Sequence, residues 1–71
     1  MYSIGIDLGG TAIKAGIVDK SGNIIVKDKV PTKSERGYEA VLRDMAKLCK
    51  KLIEKAGMSE NDIEKIGVGC P

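Results

Sequence analysis

An α/β fold is expected here: three strands wound as an antiparallel meander, a crossover helix, then a fourth strand parallel to the first. Three observations predict it. Apolar residues alternate with polar ones or glycine near the N-terminus, two glycine-containing turn sequences interrupt that alternation, and from residue 38 the apolar spacing becomes helical.

The first strand is read at 2–7, where Tyr2, Ile4 and Ile6 face one way and Ser3, Gly5 and Asp7 the other. Leu8-Gly9-Gly10-Thr11 breaks it with a tight reversal. A second apolar run at 12–18 stops at Asp19-Lys20-Ser21-Gly22, a strong turn signal. The third strand, 23–30, sets Ile24, Val26 and Val30 against Ile25, Lys27 and Lys29 and ends at Pro31. Residues 32–37 are the one candidate linker. The helix is expected at 38–56, with Tyr38, Val41, Leu42, Met45, Leu48, Cys49, Leu52, Ile53 and Ala56 on one stripe and Gly57 just past its end. Lys47, Lys50, Lys51 and Lys55 gather toward its C-terminus, where positive charge suits the helix dipole. Ser59-Glu60-Asn61-Asp62 resembles a capping box, and a fourth strand follows at 65–69. A helix between the third and fourth strands leaves room for a parallel crossover.

Composition narrows the function. At 71 residues the chain is one small domain, with a core that is marginal on its own. Twelve basic residues are balanced by ten acidic ones, and two tyrosines are the only aromatics, so neither an electrostatic nor a stacking surface for nucleic acid is indicated. There is no His, which excludes a Cys/His zinc site within the chain, and Cys49 and Cys70 are read as reduced thiols. No leader-like or membrane-spanning run is found, which fits a cytoplasmic protein without membrane contact.

The stretch that carries chemistry is Gly5-Ile6-Asp7-Leu8-Gly9-Gly10-Thr11-Ala12-Ile13-Lys14. Gly9 and Gly10 lack Cβ atoms, so their backbone can approach phosphate oxygens. Thr11 adds a hydroxyl and Lys14 a charge. Asp7 suits a phosphate site only if it holds Mg²⁺, directly or through water. A P-loop is excluded because no Lys follows Gly10 and a strand comes next. A dinucleotide fingerprint fails on spacing and context. A plain hairpin with structural glycines accounts for the spacing equally well.

Asp7-Leu8-Gly9-Gly10-Thr11 with Lys14 and Gly16, then Asp19-Lys20-Ser21-Gly22-Asn23-Ile24, resembles the N-terminus of the ROK family (repressors, open reading frames and kinases), particularly its bacterial glucokinases. The likeness runs along essentially the whole chain and includes Ile66-Gly67-Val68-Gly69-Cys70-Pro71, similar to a glycine- and proline-bearing segment of the family. It implies an actin-like ATPase (ribonuclease H-like) fold and an ATP-dependent hexokinase, most simply a glucokinase of carbohydrate metabolism and glycolysis. It also implies that Asp7 helps hold Mg²⁺, that Gly9, Gly10, Thr11 and Lys14 bind the ATP phosphates, and that Gly69 and Pro71 begin a loop near the sugar. Ala12 departs from the pattern, since many members carry Lys there.

In that family the catalytic base and the adenosine-binding half lie beyond position 71, so no catalytic residue is assigned and these 71 residues are expected to be an inactive N-terminal fragment. Glu35, Glu39 and Asp44 are read as solvated charges. A ROK repressor is the rival, disfavoured because Met1 abuts the first strand where repressors carry a DNA-binding helix pair. A free-standing interaction module is the other. The open sheet edge leads us to expect self-association.

Overall fold

The computed structural model describes residues 1–69. Strands β1 (Tyr2–Leu8), β2 (Ala12–Val18) and β3 (Ile24–Pro31) are followed by a 3-10 turn (Ser34–Arg36), helix α1 (Tyr38–Lys55), a second 3-10 turn (Glu60–Asp62) and β4 (Ile63–Gly69). The sheet order is β3-β2-β1-β4, antiparallel within the meander and parallel between β1 and β4. This is the expected β-β-β-α-β order. β4 starts two residues earlier than its alternation indicates, β3 runs one residue later, and α1 stops at Lys55.

Alternation decides which face is covered. Ile4 and Ile6 of β1 and Ile13, Ala15 and Ile17 of β2 point to α1 and are buried. The helix answers with Val41, Met45, Leu48, Cys49, Leu52 and Ile53, at the i, i+3, i+4 spacing of one stripe. Tyr38 and Leu42 also lie on the stripe read from sequence, yet they are exposed, because α1 packs over β2 and β3 and leaves the rest of the sheet uncovered. Ile66 and Val68 of β4 share the helix-side face with Ile4 and Ile6, their register partners, and stay uncovered for the same reason.

Ile24 corrects the sequence reading, which set it with Val26. A register irregularity pairs Val18 with Ile24 but Ile17 with Val26, so Ile25 is an extra residue on β3. That slip turns Ile24 to the open face, where it is exposed.

The connections are chemically specified. Asp19 Oδ1 accepts from the amides of Ser21 and Asn23, both at 2.9 Å, and Gly22 adopts φ 87°. The Asn23 amide is the main reason the Asp19 carboxyl titrates below its ordinary value. At the end of α1, Met58 N–H donates to the Ile53 carbonyl and Gly57 N–H to that of Glu54, each at 3.0 Å, with Gly57 at φ 70°. This is a Schellman ending around the expected glycine. The second 3-10 turn is held by the Ser59 amide donating to Asp62 Oδ2 at 2.8 Å.

Two ion pairs tie α1 to the meander side: Lys51 to Asp28 at 3.1 Å, and Arg36 to Asp44 at 2.6 Å. The Lys29 amide and then Lys51 lower the Asp28 carboxyl, and the Arg36 guanidinium lowers that of Asp44. A depressed folded-state value means the stabilising contribution is present above the unfolded carboxylate range, about pH 4, and fades as pH falls through the folded value. Among the described residues, no helix is long and apolar enough to cross a membrane.

Candidate phosphate-binding site

The β1–β2 reversal is built on one backbone bond, Gly9 N–H to the Ala12 carbonyl at 3.0 Å. The Gly9 amide is therefore committed inside the turn. Among the described residues the amides of Gly10 and Thr11 donate to no backbone carbonyl, and both residues are exposed. They are the donors this loop offers to an incoming anion.

The two glycines have different reasons to be glycine, and neither reason is a left-handed φ. A Cβ on Gly9 meets the Ala12 carbonyl oxygen at 3.0 Å, whereas a Cβ on Gly10 meets nothing within 4 Å. Gly9→Ala is thus expected to destabilise the fold by about 1–3 kcal/mol and lower the melting temperature by several degrees. Gly10→Ala leaves the melt unchanged, and thermal unfolding of the two variants side by side checks the difference.

Strand register places the charged groups. Asp7 lies opposite Lys14 on β1–β2, and Lys14 lies opposite Lys29 on β2–β3. On the other side Asp7 pairs with Gly69 of β4. The result is one row across the sheet, Lys29–Lys14–Asp7–Gly69, on the face that α1 does not cover. The next row is Lys27–Gly16–Gly5–Gly67, where three strands in succession present no side chain beyond the lysine. Together these residues line an open cleft of about 840 Å³. Directly opposed lysines repel at close range, so a phosphate lying over Lys14 and Lys29 relieves a cost that the sheet otherwise carries.

Asp7 is a single carboxylate, and among the described residues no three potential ligands gather into a metal cage. That donor set fits Mg²⁺ held by one carboxylate together with phosphate oxygens and water, the usual arrangement for this ion. Gly69 ends β4 next to Asp7; Pro71 lies outside the described residues, as does Cys70. Cys49 is buried on α1, and burial pushes its thiol up from the ordinary value, which suits an inert core residue. Of the other carboxylates considered, Asp44 is paired with Arg36, Glu39 is in the first turn of α1, and Glu35 is in the first 3-10 turn.

Sequence reasoning missed Thr32. Read as part of a linker, it is 3% exposed and holds the loop: its hydroxyl donates to the Gly9 carbonyl at 2.8 Å and its amide to the Thr11 carbonyl at 3.0 Å. No local pattern announces a bond across 23 residues; the only sequence cue is a hydroxyl residue directly after the strand-ending Pro31.

Comparison with known proteins bears out the resemblance read from the sequence. The glucokinase of Halalkalibacterium halodurans is 31% identical over 70 residues, covering 99% of this chain and 21% of the relative. The ROK hexokinase from Thermus thermophilus superposes with a TM-score of 0.86 at 38% identity, over 100% of this chain and 23% of that one. A ROK family glucokinase from Streptomyces griseus, solved in complex with glucose and AMPPNP, superposes with a TM-score of 0.82 at 31% identity, over 99% of this chain and 20% of that one. The chain therefore spans about a fifth of the length of these proteins, and its fold is that part of the actin-like ATPase architecture. The family model for BadF/BadG/BcrA/BcrD ATPases matches residues 4–71, nearly the whole chain. With the fold and that match in agreement, the chain belongs to the BadF/BadG/BcrA/BcrD ATPase family.

Proposed function

We propose that this chain is the phosphate-binding segment of an ATP-dependent hexokinase, most simply a glucokinase, which transfers the γ-phosphoryl group of ATP to a sugar hydroxyl. The observation that carries the reading is the exposed Gly10–Thr11 turn, with unspent amides, next to the Asp7–Lys14 pair. In this reading the Gly10 and Thr11 amides and the Thr11 hydroxyl hold the β- and γ-phosphates, with Gly9 shaping the turn. Lys14 offsets their charge from β2, and Asp7 takes Mg²⁺, which when bound neutralises charge on the phosphates. Gly69, beside Asp7, opens the way to the sugar side, with Pro71 following it.

Phosphoryl transfer needs a positioned acceptor and a base as well as a phosphate loop. Among the described residues the cleft is lined by one carboxylate besides Asp7, that of Asp28, and it is ion-paired to Lys51, so the 71 residues alone are inactive in this reading. Turnover belongs to a protein of the relatives' length, in the cytoplasm. The test is sugar-dependent ADP release with Mg·ATP and a panel of hexoses, run on this chain and on a protein in which it replaces the matching segment of the Thermus hexokinase. Release by the chimaera with one sugar, and none by the chain, is the expected result; a chimaera that binds sugar yet releases no ADP overturns it.

The family match favours a second reading, an ATPase that hydrolyses ATP with no sugar acceptor. ADP release by the chimaera at one rate with and without every hexose would select it.

We also propose that the isolated chain self-associates. β4 is an edge strand, and Ile66 and Val68 are exposed on its helix-side face. Sedimentation velocity should show a mass that rises with concentration; a concentration-independent monomer overturns it.

A further inference from the structure

We infer that Thr32 is a positioning residue of the phosphate loop, and that the corner after β3 braces that loop against α1. The inference rests on reading residues 9–11 as the loop that meets phosphate. Thr32 is the one buried polar residue among the described residues, and each of its polar groups has a partner that matters to the site. The hydroxyl takes the Gly9 carbonyl and the amide takes the Thr11 carbonyl, one on each side of Gly10. Drawing both carbonyls toward the end of β3 removes them from the surface an anion approaches, where their partial negative charge would oppose binding.

The corner itself is anchored from the helix. Arg36 Nη2 donates to the Thr32 carbonyl at 2.9 Å and to Asp44 Oδ2 of α1 at 2.6 Å, while its Nε donates to the Lys33 carbonyl at 3.2 Å. Lys33 sits at φ 49°, a left-handed conformation that costs free energy at a residue with a Cβ. Gly37 at φ 90° then turns the chain into α1. A segment held in that shape by two bonds to one guanidinium, itself tied to α1 by a third, is a fixed corner. The connection runs without a gap: Asp44 to Arg36, Arg36 to Thr32, Thr32 to Gly9 and Thr11.

Thr32→Val keeps the shape and deletes the hydroxyl; Thr32→Ser keeps the hydroxyl. Ile53→Val, a core change remote from the loop, serves as the stability control. Affinity for Mg·ATP is measured by calorimetry and amide hydrogen exchange at Gly10 and Thr11 by NMR, on the full chain. Thr32→Val is expected to weaken Mg·ATP about five- to tenfold, the worth of one buried hydrogen bond. It should also alter exchange at both amides, whereas Thr32→Ser and Ile53→Val stay within about twofold of wild type. Wild-type affinity in Thr32→Val, or equal loss in Thr32→Ser, overturns the inference. If neither the wild-type chain nor the Thermus hexokinase chimaera that carries it binds Mg·ATP, the phosphate-loop reading fails by itself. Exchange then decides the bracing role: a change in Thr32→Val but not in Thr32→Ser upholds it, and no change overturns it. Should Thr32→Val not fold, Arg36→Gln gives the same readout, with about threefold weaker binding expected and unchanged binding overturning the brace.

Discussion

Asp7→Asn is expected to cut sharply the gain in ATP affinity that Mg²⁺ confers, while leaving metal-free ATP binding equal or slightly tighter. The sign follows from two opposing charges. Without the ion, the Asp7 carboxylate stands beside phosphate oxygens of the same sign, so removing its charge relieves a repulsion. With the ion, the proposed reading makes that carboxylate the protein's own hold on the metal, directly or through water, and an amide is a weaker one. On an exposed face a unit charge at contact distance is worth roughly 1–3 kcal/mol, between its values in water and at a protein surface, so the Mg²⁺-dependent gain should shrink by about 10- to 100-fold. The fold survives, because the cross-strand partnership with Lys14 contributes only about 0.2–1 kcal/mol. Titrating ATP into wild type and variant, each with Mg²⁺ and with chelator, gives the four affinities needed. A Mg²⁺ gain in the variant within twofold of wild type would show that Asp7 does not hold the metal.

Leu52→Ala is expected to remove most of the stability of the domain. Leu52 is 0% exposed on α1 and joins the core formed with the β1 and β2 residues. Truncating such a leucine costs about 2–5 kcal/mol, because the lost transfer free energy is joined by the cavity left behind. A chain of this length has about 4–10 kcal/mol in total, so the change consumes a large share. Leu42→Ala on the same helix is the comparison: Leu42 is 52% exposed, and its truncation should cost under about 1 kcal/mol. Urea midpoints measure both. Comparable losses would mean that Leu42 is covered in solution, and the cost at Leu42 would then vary with protein concentration if a second copy does the covering.

The contrast between these two leucines shows where sequence reading succeeds and where it stops. Helical spacing identifies the stripe from Val41 to Ile53 because period and burial coincide there over about three turns. It says nothing of where along the sheet the helix is set down, so Tyr38 and Leu42 look as buried as Leu48. Strand order was legible in β1 and β2 from alternation and in the parallel β4 from the intervening helix. The face of Ile24 was not, since one extra residue on β3 reverses it and carries no signature of its own. At the site, Asp7, Gly9, Gly10, Thr11 and Lys14 stand out because they are consecutive or nearly so and resemble a family pattern; their spacing alone fits a plain hairpin equally well. Thr32 and Lys29 come to the same place through pairing of distant segments, which only the folded register reveals.

The parallel partnership of β1 with β4 has a consequence for the time course of folding. Both hairpins of the meander close over a few residues, whereas Tyr2 meets Ile63 only after nearly the whole chain has been drawn in. Loop-closure entropy makes local pairings the early ones and the long-range pairing the late one. The β1–β2 turn and its Thr32 brace both belong to the early part, so the transition state should already contain them. Substitutions at Ile13 or Ile17 should then slow refolding, and those at Ile66 or Val68 chiefly speed unfolding. The nascent chain would thus carry a formed β1–β2 turn before β4 has joined the sheet.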